Sequence, residues 1–276
     1  MKLLTLILAT FRELFSKATL YVLLGISTLI LLVMLMSISS EKSDEGIILK
    51  VFGNPTSPAP VPIEQFETLV YGIQTGLAKG LFVGIMLFGV FATASIIPDS
   101  MEKGTVDLYL SKPIARWELL LGKYLGGVAV IFANILFFVG GLWLVFGLRV
   151  GIWNWQFLLS SLTMSFMFAC IFSIVLILGV LFRNTAIPII GCFIYLMVVD
   201  NVLENRETIF AFTQNKTLHS ALDALYYVFP QISAMQKALA NQIMHQAMEW
   251  KPFVQALISS AVIFTGAAFI MRRKDF

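Results

Sequence analysis

The run from 156 to 202 reads QFLLSSLTMSFMFACIFSIVLILGVLF, then RNT, then AIPIIGCFIYLMVVDNV, and its reading decides the fold. Two apolar stretches, 156–182 and 186–202, are separated only by Arg183, Asn184 and Thr185. About 20 apolar residues wound as a helix, rising ~1.5 Å each, cross a hydrocarbon core of roughly 30 Å. In lipid a helix satisfies its own backbone hydrogen bonds within one segment. A polar turn this short allows only a direct return, so the two stretches read as a helical hairpin inside a membrane.

Outward from that hairpin, four more runs qualify as spans: 19–38, 77–97, 124–147 and 253–271. The composition agrees. The 276 residues are 58% hydrophobic and 13% charged, with mean hydropathy +0.87. A soluble domain carries roughly 25% charged residues, so this chain has too little polar surface to cover a globule in water. The fold class is therefore an all-α membrane protein with six transmembrane helices, forming one domain over 1–276. A net charge of +3 gives no reason to expect nucleic acid. Cys170 and Cys192 both fall inside apolar runs and read as small buried side chains.

Residues 1–17 read as an amphipathic helix. Leu4, Ile7, Leu8, Phe11, Leu14 and Phe15 recur at helical spacing, with Lys2, Arg12, Glu13, Ser16 and Lys17 mostly on the other side. Such a helix can lie in the headgroup plane. No small-residue cleavage site follows it, so a cleaved signal peptide is not expected.

Orientation follows the basic residues. With both termini in the cytoplasm, the inside set holds Lys2, Arg12, Lys17, Lys103, Lys112, Arg116, Lys123, Arg183, Arg272, Arg273 and Lys274. Two external segments result. Residues 39–76 carry Pro55, Pro58, Pro60 and Pro62 and read as a loop. Residues 203–252 hold two helices broken at Pro230, touching the outer leaflet.

The loop between spans two and three, 98–123, carries the functional signal. Gly104 permits a turn, Thr105 can cap a short helix over 106–110, and Pro113 suits the first turn of a second helix that continues into span three. Val106, Leu108 and Leu110 are apolar yet lie outside the membrane, where they need a cover. A protein docking from the cytoplasm would supply it.

The run from Met101 to Lys123 resembles the signature loop of ABC-2-type transporter permeases. In that family a glutamate and a Gly-Thr pair, here Glu102, Gly104 and Thr105, precede a short coupling helix. A Ser-x-Pro-Ile-x-Arg segment and a Leu-Gly-Lys follow, here Ser111 to Arg116 and Leu121 to Lys123. The order of elements agrees, and Tyr226 to Ala234 is similar to the family's external segment before the last span. Within the family the likeness points to the permease of the nitrous-oxide-reductase maturation transporter.

The resemblance implies a permease subunit of an ATP-driven exporter in a prokaryotic inner membrane, paired with a second copy and two cytoplasmic ABC ATPase subunits. The expected ATPase interface is Glu102, Lys103, Gly104, Thr105, Val106, Asp107, Leu108, Tyr109, Leu110, Lys112 and Arg116. ATP and Mg would be bound by the partner, and the chain itself would hold no cofactor.

No P-loop pattern and no His-Glu-x-x-His occurs, so the chain reads as no enzyme. Asp99 and Asp200 sit at span ends, and no ionisable group stands at a midplane, which disfavours an ion-coupled transporter. Gly72, Gly76, Gly80 and Gly84 recur every four residues and suit either helix packing within the subunit or a contact between two permeases. Met244, His245 and Met248 could hold copper, but an amphipathic interfacial helix is the plainer reading. The other function class that fits is a non-transporting membrane anchor or assembly factor.

Overall fold

The computed structural model describes residues 2–43, 46–56, 59–101, 115–212 and 216–273. Six helical segments are long and apolar enough to cross a membrane: Ala18–Ser37, Gln65–Ser100, Arg116–Val150, Trp155–Phe182, Ala186–Glu204 and Lys251–Arg273. In chain order the helices are α1 (Lys2–Phe15), α2 (Ala18–Ser37), α3 (Ile63–Thr93), the short α4 (Ile96–Ser100), α5 (Arg116–Arg149), α6 (Trp155–Phe182) and α7 (Ala186–Ile194). A π turn, Tyr195–Val199, joins α7 to α8 (Asp200–Glu204). Then come α9 (Arg206–Phe212), α10 (Lys216–Val228), α11 (Ile232–Ile243) and α12 (Lys251–Arg273).

The expected hairpin is present, and its ends are set by local chemistry. Asn154 caps α6, its side-chain oxygen accepting the Phe157 N–H at 3.2 Å. Arg183 closes α6 in the left-handed conformation at φ 50°, and the Asn184 side chain accepts the Ala186 N–H at 2.7 Å to start α7. α6 is the central post: 67% of its apolar window is buried, against 17% for α2. Phe168 and Phe172 stack on it at 5.6 Å. Gly89 and Gly127 on α3 and α5 make room for them, since a Cβ at either would fall within 3 Å of a phenyl carbon.

Three expectations change. The first inter-span segment, 39–76, is not a loop. Ile38–Ser43 (β1), Gly46–Val51 (β2) and Asn54–Pro55 (β3) form an antiparallel sheet, with Ile38 opposite Val51 and Val51 opposite Asn54. Phe52 and Gly53 turn β2 into β3 with φ of 51° and 78°, both positive as a tight two-residue hairpin turn requires. α3 then starts at Ile63 instead of 77, because Pro62 stands just before the helix, where its missing N–H costs nothing.

Second, the helices broken at Pro230 are joined by α9, which the composition of 206–212 did not single out. Third, α1 does not merely rest in a headgroup plane. Leu6, Thr10 and Leu14 are buried, and α1 crosses α5 at Gly122 and Gly126. A Cβ at Gly122 would stand 2.6 Å from the Leu6 Cβ, and one at Gly126 the same distance from the Thr10 Cβ.

The bundle has two unlike ends. α1, the start of α5 and the end of α12 mark the termini end. The β-hairpin sheet, Asn154, α10 and α11 mark the other, hairpin end, opposite the 183–185 turn.

Candidate functional site: the termini end and the polar cleft

Of the expected ATPase interface, Glu102, Lys103, Gly104, Thr105, Val106, Asp107, Leu108, Tyr109, Leu110 and Lys112 lie outside the described residues. The short helix expected over 106–110 lies there too. The structure does place the loop's roots. On the outgoing side, Met101 is buried, and Asp99 receives the Lys17 ammonium at 2.6 Å, which also reaches the Ser95 hydroxyl. On the returning side, the Glu118 carboxylate accepts the Ala115 N–H at 3.0 Å and so starts α5. Arg116 donates to the carbonyls of Met271 and Arg272 at 3.3 and 3.4 Å, tying the start of α5 to the end of α12. Two turns further along α5, Lys123 pairs with Glu13 of α1.

Lys123 is 2% exposed, and its ammonium is paired with the partly buried Glu13 carboxylate. Breaking such a pair from one side leaves a buried charge uncompensated, at a cost of roughly 3–5 kcal/mol. The consequence is mechanical. α1 and the corner that follows it hold both roots of the loop, Lys17 at the start of α2 to α4 and Glu13 of α1 to α5. A force applied to the loop therefore moves α1, α4 and α5 together.

Gly72, Gly76, Gly80 and Gly84 do not pack within the chain: a Cβ at any of them would meet nothing within 4 Å. Close helix approach is made instead by Gly122 and Gly126, a single four-residue pair on α5, and by Gly127 and Gly89. Of Met244, His245 and Met248, the last two have contacts that account for them without a metal. The His245 Nε2 lies 3.1 Å from the Asn154 side-chain oxygen, its ring rests 5.1 Å from Tyr71, and Met248 packs on the core.

At the hairpin end, polar side chains lock the helices. The Asn154 amide donates to Gln74 Oε1 at 2.8 Å and to the Ile243 carbonyl at 3.0 Å, joining α6, α3 and α11. The π turn places Tyr195 and Asp200, one wide turn apart, on the same inward face. The Tyr195 hydroxyl donates to the Pro230 carbonyl. The Asp200 carboxylate accepts the N–H groups of Ile232 and Ser233 at 3.0 and 2.8 Å, and also the Ser233 hydroxyl, capping α11 from another helix.

Between α3, α8, α9, α10 and α11 lies a cleft of about 580 Å³. Its charged lining is mixed: Lys79, Arg206 and Lys237 face Asp200, Glu204, Glu207 and Glu249. Sequence reasoning took Asp200 as a span terminus, and Lys79 stands near the start of the apolar run 77–97. The one usable signal was a lone aspartate closing an apolar run ahead of Pro230-Gln231-Ile232-Ser233. The cleft itself needs five helices to exist.

Residues 22–276 match the family model described as "ABC-2 family transporter protein". The match is to the family at large and does not single out the nitrous-oxide-reductase subgroup. Among curated proteins, none matches this chain. Six spans, a loop between spans two and three rooted on α1 and α12, and a family match over nearly the whole length agree: the chain belongs to the ABC-2 transporter family, as its membrane-spanning component.

Proposed function

We propose that this chain is the permease subunit of an ATP-driven exporter, working as a pair of copies with two ABC ATPase subunits. The observation that carries the reading is the clasp at the termini end, where Lys17–Asp99, Glu13–Lys123 and Arg116 fasten both roots of the 102–114 loop to α1 and α12. A loop meant only as a connector needs no such anchorage. The apolar Val106, Leu108 and Leu110 in that loop are the surface an ATPase would cover. The basic residues at the termini end orient it toward the cytoplasm of a prokaryotic inner membrane. The open glycine face of α3 suits the contact with the second copy, since small residues let helices approach closely. The ATPase partner would bind ATP and Mg and perform the phosphoryl chemistry, while the permease moves.

The test is purification of the chain at native expression with whatever it retains. The expected result is a co-purifying ATPase with vanadate-sensitive hydrolysis, which Leu108→Glu uncouples or detaches. A chain that purifies alone, or a complex indifferent to Leu108→Glu and Gly104→Pro, would favour the membrane anchor instead.

A further inference from the structure

The charges of the cleft at the hairpin end are mostly spoken for. Lys237 is held by Glu204. Arg206 pairs with Asp223 at 3.2 Å, its guanidinium 3.4 Å above the Tyr226 ring, and Glu207 trails it at 3.9 Å. Asp200 is saturated by the start of α11. Two charges have no partner among the described residues: Lys79 on α3 and Glu249 just before α12. One is positive, one is negative, and they stand on different elements. A ligand that satisfies both carries both signs.

Depth narrows the class further. Gln74 bonds Asn154 at the very start of α6, and Lys79 lies about 7 Å further along α3 at ~1.5 Å per residue. It therefore sits within the candidate span Gln65–Ser100, inward of the level at which α6 begins, where an ammonium facing apolar surroundings favours a counter-charge. Glu249 precedes Trp250, an exposed aromatic of the kind found at headgroup depth. Leu225, Tyr227 and Val228 on α10 are exposed apolar side chains bordering the same region. The cleft, at about 580 Å³, falls within the roughly 300–1,000 Å³ of small-ligand sites. A site that runs from headgroup depth into apolar surroundings suits an amphiphile better than a free solute.

We propose that this cleft binds the zwitterionic headgroup of an aminophospholipid, its phosphate toward Lys79 and its primary ammonium toward Glu249. That such a lipid is the cargo rests on the transporter reading above; that the cleft binds it does not.

The experiment is native mass spectrometry of the full-length chain in detergent, offered phosphatidylethanolamine, phosphatidylcholine and phosphatidylglycerol at equal mole fraction. Phosphatidylethanolamine is expected to be retained preferentially. Lys79→Met should lower its retention at least about tenfold, the loss of one charged hydrogen bond, while Lys79→Arg preserves it. Glu249→Gln should erase the preference over phosphatidylglycerol. Should Lys79→Met fail to fold, Glu249→Gln, in an exposed segment, still decides. Equal retention of the three lipids, or no change in either variant, overturns the proposal. Displacement of the lipid by free phosphoethanolamine overturns the lipid assignment in favour of a soluble zwitterion, and resistance to displacement upholds it. Because no ATPase enters this measurement, a permease without an ATPase partner would break the transporter reading and leave this result standing.

Discussion

The two ends of the bundle solve opposite problems with the same residue types. At the termini end each basic side chain of the clasp has an assigned partner: Lys17 on Asp99, Lys123 on Glu13, Arg116 on the last carbonyls of α12. The helices there cross at glycine distance, with α1 pressed on Gly122 and Gly126. At the hairpin end the helices are short, the cleft is polar, and Lys79 and Glu249 stay unmatched among the described residues. Two buried polar atoms, Gln74 Nε2 and Thr75 Oγ1, have no partner there either. Matched charges and close backbones make a body that moves as one piece. Unmatched groups around a cavity make a place where a ligand is worth binding.

The comparison breaks most sharply at Lys123. Glu13→Met, with Lys123 left in place, should cost roughly 3–5 kcal/mol in detergent unfolding, and Lys123→Met added to it should recover most of that loss. If the single change is tolerated, the clasp is not what holds α1. Next comes Asp200→Ala, which leaves the first N–H groups of α11 unpaired and should destabilise by about 2 kcal/mol. Hydrogen exchange should show the loss confined to α11 and its neighbours, with α1 and α5 unchanged. Spread of the effect to the termini end would mean the two ends are one cooperative unit.

Gly126→Val drives a side chain into Thr10 of α1. A loss of about 1–3 kcal/mol is expected, together with new protease access to 2–15, because a well-packed crossing has no room to give. Gly80→Ala, by contrast, should leave the stability of the single chain within about 0.5 kcal/mol, because nothing lies near its Cβ. The same change should lower the dimer fraction if that face meets a second copy, which cross-linking would read directly.

The smallest effect concerns pH. The Glu204 carboxylate raises the Lys237 pKa above its ordinary 10.5, first by hydrogen bond and then by charge. The folded chain thus favours the protonated lysine. Its contribution is complete below pH 10.5 and fades as the pH rises through the raised value. For an exposed pair this is worth less than about 1 kcal/mol. A thermal-melt series from pH 9 upward in wild type and Lys237→Met should converge at the alkaline end.

By itself the sequence determined the six spans, the 183–185 turn and the amphipathic character of α1. Each depends on periodicity and apolar length within one segment, and lipid enforces both without reference to neighbours. The family likeness was legible too, because it rests on residues contiguous in the sequence. Only the tertiary structure decided what the glycines do. A glycine's role depends on what approaches it, so the longer repeat at 72–84 faces open space, while the single pair Gly122 and Gly126 carries the α1 crossing. The same holds for Asp200, whose capped helix begins at Ile232, and for Lys79, which lines the same cleft as Glu249 from a different element. A charge is read in a sequence as a property of its residue, but whether it is satisfied depends on which distant helix the fold sets beside it.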